Sequence, residues 1–383
     1  MTLEGSEDER SQVLESFSRL GRAEVEPLAV SIDRDGAFSS ALWDLLAHHD
    51  VFSLSFPESV GGSGAPFSLY VAVIETLSVA GGIAGFYPST TVQTARMLLD
   101  HGSADQQQQW FPRLISGQAC AAWAFTEPQT GSDPKQIATR AVPEKDGWRL
   151  TGEKAFISFA ARADVAVVFA QIDGSGLSAF LVDTADPGWR PGPPVSLLAF
   201  AGMGTASVFL DGIWVPRSGL IGAQGGGFTI LHAGETEAKI RAAATCVGIA
   251  QRALDEAARY ALARTHRGVA IGTKFPTIQG IIGDIASSVD AARAFVRDVA
   301  MKYEQRSPDI KRLAAAARLV SARTSREASS AALQVCGAYG LTKEMVVERL
   351  YREGKFFEVA QGVAEIQRAI VAKHVLANRR YGA

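Results

Sequence analysis

The spacing of apolar residues changes twice along this 383-residue chain, and that change restricts the possible folds more than any other feature. Up to about residue 118 apolar residues recur at steps of three and four. One stripe runs Leu14, Phe17, Leu20, Val25 and Leu28. A second runs Leu42, Leu45 and Leu46 behind Ser39-Ser40, whose hydroxyls can cap a helix start. Others carry Leu69, Val73, Ile74 and Leu77, then Val92, Ala95 and Leu98, and Gln106 to Ile115 completes the block. From about Ala121 to Gly222 the pattern becomes short β-rich runs broken by turn residues: Trp148 to Thr151, Val165 to Ala170, Leu177 to Val182, Ser207 to Leu210 and Gly212 to Val215. After Gly225-Gly226-Gly227 the helical step returns through Ile240, Ala243, Val247, Ala250, Leu254, Ala257 and Ala261. Further helical stretches cover roughly 276–304, 309–337 and 363–379. The fold class is α+β, with an N-terminal helical domain over 1–118, a central small β-domain over 119–225 and a C-terminal helical bundle over 226–383.

Apolar residues make up 47% of the chain and charged residues 20%, enough apolar surface for a large core. Lys and Arg number 38 against 40 Asp and Glu, so there is no basic excess of the kind nucleic-acid or anionic-membrane binding requires. No apolar run is long enough to span a bilayer, and the acidic start MTLEGSEDER has no secretory h-region, so a cytoplasmic protein is expected. Cys120, Cys246 and Cys336 are far apart and odd in number, which favours buried free thiols over disulfides or a metal site. The glycines at 225–227 lack the Lys-Ser/Thr of a phosphate loop and read as a turn between domains.

Four segments offer chemistry. Trp123-Ala-Phe-Thr-Glu-Pro-Gln-Thr-Gly-Ser-Asp133 carries the hydroxyls of Thr126 and Ser132 beside a small Gly131. Glu153-Lys-Ala-Phe-Ile-Ser158 alternates an aromatic and a hydroxyl along a strand. Gln334-Val-Cys-Gly-Ala-Tyr-Gly-Leu341 ends a helix, and Tyr351-Arg-Glu-Gly-Lys355 is followed by Glu358-Val-Ala-Gln-Gly-Val-Ala-Glu-Ile-Gln-Arg368. Singly, each is an ordinary turn, strand or helix end.

In this order and spacing, together with Pro57-Glu58, Gly61-Gly62 and Gln251-Arg-Ala-Leu-Asp-Glu-Ala257, the segments resemble the acyl-CoA dehydrogenase family over nearly the whole chain. The resemblance implies a helical domain, a β-domain and a C-terminal four-helix bundle. It also implies non-covalent FAD and a homo-oligomer, a dimer or tetramer, with a hetero-oligomer as an alternative. Thr126 and Ser132 match the family's TEPxxGSD contacts to the flavin and its phosphates. Phe156 and Ser158 stand at its Trp-x-Ser/Thr strand, where Phe keeps the apolar face without the indole donor. Gln334 and Gly337 match a segment that reaches FAD from a neighbouring subunit, and Arg264 or Arg267 matches a phosphate-contacting arginine. Ala338 and Val363 replace the family's usual Gly and Thr.

The main departure is at the base. The family removes the α-proton of an acyl thioester with a glutamate while a hydride leaves the β-carbon. The usual position of that glutamate is Gln361 here, and an amide is no base. The position used by other members is Ala238, with Glu237 beside it as a possible alternative base. His232, just ahead of that helix, is a further candidate acid or base, whereas His48, His49, His101 and His374 read as surface or cap residues and Glu358 as a structural partner.

Three functions are consistent with these residues. The first is α,β-dehydrogenation of an acyl thioester, on CoA or a carrier protein, with a flavoprotein or oxygen as electron acceptor. The second is oxidase, monooxygenase or other thioester chemistry on the same fold. The third is a non-catalytic partner subunit.

Overall fold

The computed structural model describes residues 7–377. The first block comprises α1 (Glu7–Leu20), α2 (Glu26–Asp35), α3 (Ser40–His48), α4 (Phe67–Ala80), α5 (Gly82–Phe86), α6 (Ser89–His101) and α7 (Ala104–Ile115). A wider π-type turn, Gly21–Val25, joins α1 to α2, so the expected continuous stripe bends there. Ser39 caps α3 by accepting from Leu42 N, and Ser103 with Gln106 forms a reciprocal capping box at α7.

The second block is one eight-stranded sheet. Its strands are β1 (Ala121–Ala124), β2 (Arg140–Glu144), β3 (Gly147–Ile157), β4 (Val165–Ile172), β5 (Gly176–Asp183), β6 (Trp189–Pro191), β7 (Ala206–Pro216) and β8 (Leu220–Ile221). Its order is β6-β7-β3-β2-β4-β5-β8, with β1 parallel to β4. The two runs expected at 207–210 and 212–215 are one strand, β7, because Gly212 at φ +65° carries the chain through a register irregularity against β3 without ending the ladder.

The third block contains α8 (Gly227–Ala263), a short hairpin of β9 (Thr265–His266) and β10 (Val269–Ala270), α9 (Ile271–Lys274), α10 (Pro276–Glu304), α11 (Ile310–Cys336), α12 (Val346–Val359) and α13 (Ala364–Ala377). The hairpin accommodates the residues inserted between Arg264 and Gln279; Arg267 at φ +52° and Gly268 form its turn. α12 runs on through Lys355 to Val359, and Gly354 allows it to lie against Ser325 and Ser329 of α11.

α8 is the central rod. Its apolar stripe is buried as expected, but burial extends all the way round from Thr236 to Ala250, since α4, α6, α10, α11 and α12 all pack on it. Glu237, Lys239 and Arg241 are therefore inside the protein.

Two of the buried ionic groups have testable consequences for stability. In the sheet, Lys154 Nζ lies 2.7 Å from Glu127 Oε1 and donates to Phe169 O at 2.6 Å, with both side chains at most 1% exposed. Burial pushes the Lys154 amine down to about 8, with Glu127 opposing the shift. Burial pulls the Glu127 carboxyl up, but Lys154, Thr139 and Ala138 N–H outweigh it and hold the group below its ordinary range. Removing one partner of such a pair costs about 3–5 kcal/mol. Lys154→Met and Glu127→Gln are each expected to lower the denaturant midpoint strongly, with Lys154→Met/Glu127→Leu recovering part of the loss.

In the bundle, Glu353 on α12 is buried and pushed up to about 7, by burial first, with Arg349 opposing the shift. The folded carboxyl therefore holds its proton to higher pH than the unfolded one, so its contribution to stability falls as pH rises from about 4.5 to about 7. Thermal melts should show the advantage of Glu353→Gln over the parent growing from pH 5 to pH 8; an advantage independent of pH would contradict this.

Candidate active site

The segment containing Thr126 and Ser132 is tied to the sheet through Glu127. That carboxylate accepts from Ala138 N at 2.6 Å, Thr139 N at 3.0 Å and Gln129 Nε2 at 2.5 Å, in addition to Lys154. Thr130 closes the turn by donating to Asp133 O at 2.7 Å. Thr126 O accepts from Ala155 N at 2.8 Å, which fixes Thr126 one residue from Phe156 in the adjoining strand. The structure thus brings Thr126 beside the C-terminal end of β3, which carries Phe156 and leads into Ser158. Ser132 lies on the exposed side of the same turn.

Phe156 is 63% exposed and sits at φ +56°, a left-handed conformation that a bulky residue rarely adopts. An apolar ring held outward by a strained backbone is unusual for a strand residue, and such strain concentrates where a ligand is received. The neighbouring Ile157 and Phe159 are buried.

Gln334 lies exposed near the end of α11. Gly337 follows at φ +60° and ψ −142°, a backbone conformation essentially restricted to glycine. Arg264, just before the short hairpin, and Arg267, in its turn, are both exposed. Tyr339 and Leu341 stand well exposed beside Gly337.

The loop after α12 is fixed from beneath. Arg318 of α11 is 1% exposed; its Nη2 donates to Phe357 O and, at 2.9 Å, to Ala360 O, and its guanidinium lies 5.2 Å from the Phe357 ring centroid. Burial lowers its pKa. Gln361 follows at φ +53°, with its side-chain Oε1 buried and unpartnered. Gly362, at φ +87°, accepts from Gln367 Nε2 at 3.2 Å. This loop thus holds Gln361 in a left-handed conformation.

Glu237 is 2% exposed. Its Oε2 accepts from Arg96 Nε at 3.2 Å and from Tyr303 Oη at 3.1 Å, and its Oε1 lies 3.5 Å from Arg241 Nε. Burial pushes the Tyr303 hydroxyl far up, and Glu237 adds to the shift. Protonating Glu237 would leave two largely buried guanidinium groups without their anion, so the geometry suits a structural counter-ion better than a base. His232 is not ahead of the helix, as the sequence reading had it, but within α8 and exposed, 6.4 Å from the Phe228 ring. Glu358 pairs with Arg326 at 2.8 Å and Lys355 at 2.7 Å, as expected of a structural residue.

Sequence reading missed Arg96, Arg241 and Arg318. Arg241 and Arg318 interrupt small-residue helical stripes, Ile240–Ala244 and Leu313–Ala322, in which every neighbouring core position is apolar or tiny. A cation at a core phase is the signal that was available.

Three family models match the chain: acyl-CoA dehydrogenase N-terminal domain over residues 7–118, middle domain over 122–213 and C-terminal domain over 225–376. The human mitochondrial short-chain specific acyl-CoA dehydrogenase is 32% identical over 96% of this chain and 90% of its own length. The solved butyryl-CoA dehydrogenase from Megasphaera elsdenii superposes with a TM-score of 0.93 at 26% identity, covering 98% of this chain and all of that one. A solved structure of PigA with FAD and proline gives a TM-score of 0.91 at 26% identity, covering 99% and 100%. With every block of the fold matched in order, this chain belongs to the acyl-CoA dehydrogenase family.

Proposed function

We propose that this chain is a FAD-dependent oxidoreductase of acyl thioesters in which the proton-abstracting position is held by Gln361. The observation that carries the reading is the loop that presents residue 361: Arg318 holds the Phe357 and Ala360 carbonyls, and Gln361 sits at φ +53° with its side-chain Oε1 buried. A chain that had abandoned thioester chemistry has no evident reason to maintain this strained turn.

The residues fit the cofactor. Phe156 presents a solvent-facing ring that can cover one face of a flat heterocycle. Thr126 and Ser158, half-buried beside it, offer hydroxyls and backbone groups for a polar ring edge, and Ser132 with the turn at 130–133 suits a phosphate. Gln334, Gly337 and Arg264 project from the bundle and are assigned to the FAD of a second protomer, so the site is completed by a dimer or tetramer. FAD, when bound, supplies a two-electron acceptor for a hydride from the acyl β-carbon. Gln361 would hydrogen-bond the thioester without accepting its α-proton, and loss of a placed general base costs ~10²–10⁴-fold. Glu237, engaged by Arg96, Arg241 and Tyr303, holds α8 against α6 and α10. The missing base also supports a second reading, a non-catalytic subunit whose partner chain supplies the glutamate.

Thr126→Val combined with Ser132→Ala should reduce FAD retained through gel filtration by severalfold while the melting temperature of the apoprotein stays unchanged. Gln361→Glu adds a carboxylate with almost no change in shape. Under anaerobic conditions this variant should bleach its flavin with acyl-CoA at a rate ~10²–10⁴-fold above the parent. Parent and variant bleaching equally slowly, with FAD and thioester both bound, would overturn the assignment of residue 361. A parent protein that stays colourless with added FAD would favour the non-catalytic reading.

A further inference from the structure

The loop between β6 and β7 touches all three blocks of the fold. Two buried phenylalanines meet there in a backbone conformation that bulky residues rarely adopt. Phe200 lies in the loop at φ +59° and ψ +30°, 4% exposed, directly ahead of the short 3-10 turn Ala201–Met203. Phe159, just past the end of β3, is 1% exposed at φ +58°. Its N–H donates to Met203 O at 2.7 Å, so the two left-handed residues are linked through that turn. Such a backbone persists at a bulky residue only where the surrounding contacts over-determine it.

Those contacts come from every side. From the N-terminal block, Tyr87 Oη donates to Gly202 O at 3.1 Å while accepting from Ser39 N at 3.0 Å. α2 lies so close that a Cβ on Gly202 would stand 2.2 Å from Ile32 Cγ2. From the bundle, Arg352 of α12 donates to Leu198 O at 3.1 Å and is itself fixed by Asp33 of α2 at 2.6 Å. The Phe200 ring meets its neighbours edge to face. Its centroid lies 5.5 Å from that of Phe86 on α5, and 4.7 Å and 5.4 Å from those of Phe356 and Phe357 on α12. Phe159 is enclosed in turn by Tyr87 at 5.7 Å, Trp43 at 5.8 Å and Phe38 at 5.9 Å.

The two ends of this run of contacts are the two features that flavin and thioester would meet. At one end Phe156, the exposed ring, lies in the same turn of chain as Phe159. At the other, Phe357 is the residue whose carbonyl Arg318 holds, and Gln361 follows in the loop beyond it. We infer that Phe200 is a positioning residue for residue 361. With its ring against Phe356 and Phe357 and its turn bonded to Phe159, it sets where the end of α12 stands relative to the strand end that carries Phe156. Phe200 is buried and acts through these neighbours. A thioester oriented by residue 361 reacts only with its β-carbon against the flavin, and a misplacement of about 1 Å can cost about 10²-fold in rate. The role of residue 361 rests on the thioester function proposed above; the coupling between the two ends rests on the packing alone.

Hydrogen exchange on the full-length, FAD-supplemented protein tests the coupling without any turnover. Phe200→Ala is expected to speed exchange of the Phe159 amide, bonded to Met203 O, and of the Ala360 amide, bonded to Phe356 O, together and by at least ~10-fold. Phe180→Ala removes a buried ring from the separate core of the β-domain, where it packs on Trp148. It should lower the melting temperature comparably and leave both amides at the parent rate. Should Phe200→Ala not fold, Phe200→Leu is expected to show the paired change at a severalfold level. In the Gln361→Glu protein, adding Phe200→Ala should slow anaerobic flavin bleaching by acyl-CoA by ~10–100-fold and keep thioester affinity within about twofold. Faster exchange at neither amide or at only one, or an equal rise in Phe180→Ala, would overturn the coupling. Unchanged bleaching beside a paired rise in exchange would overturn the positioning role. Failure of the thioester function reads differently: Gln361→Glu with Phe200 in place bleaches with no thioester, while the exchange rates still decide the coupling.

Discussion

The buried pair of Glu127 and Lys154 is the interaction on which the geometry of the candidate site depends. Two charges at most 1% exposed are tolerable only because nearly every polar valence is used: the carboxylate accepts from two backbone N–H groups and a threonine hydroxyl, and the ammonium reaches the Phe169 carbonyl. Glu127 lies between Thr126 and the turn bearing Ser132, while Lys154 lies two residues before Phe156. The pair therefore sets the distance between the hydroxyl-bearing turn and the exposed ring.

A second anchor works on the opposite side. Arg318 meets carbonyl oxygens rather than an acid, and so fixes the end of α12 without adding a negative charge beside residue 361. Its cation lies under the loop in which the family pattern places a carboxylate. With Gln361 in place no ion pair forms there, and the loop is held by the Arg318 and Gln367 side chains on backbone carbonyls. Shape and charge at this position are thus independent, which is how a chain can lose the basic group while retaining the turn that displayed it. Arg241 is a third buried cation, tied to the start of α6 through the Ser89 carbonyl.

Much of this was legible in the sequence. The two changes of apolar period place the β-block correctly, since alternation and the three-to-four step report which face of each element is buried. The Thr126, Phe156 and Gln361 segments stood out only together, by resembling the acyl-CoA dehydrogenase family in order and spacing, since each alone reads as an ordinary turn, strand or helix end. Other features were hidden for identifiable reasons. The wider turn at Gly21–Val25 keeps a helical spacing, so periodicity cannot detect it. The burial of Glu237 and Arg241 depends on how many helices surround α8, a tertiary property that a one-face stripe underestimates. The hairpin at 265–270 is only two residues long on each side and carries no alternation to read. His232 was misplaced because Gly225 to Gly227 ends a loop but does not show how soon the helix begins.

The central claim is that β-domain residues of one protomer and bundle residues of another share one FAD. Native mass spectrometry of the purified, FAD-supplemented protein tests it most directly. The account predicts one FAD per chain in dimers or tetramers, and monomers formed on dilution that carry none. A monomer that keeps stoichiometric FAD, or an intact oligomer that binds none, would contradict it.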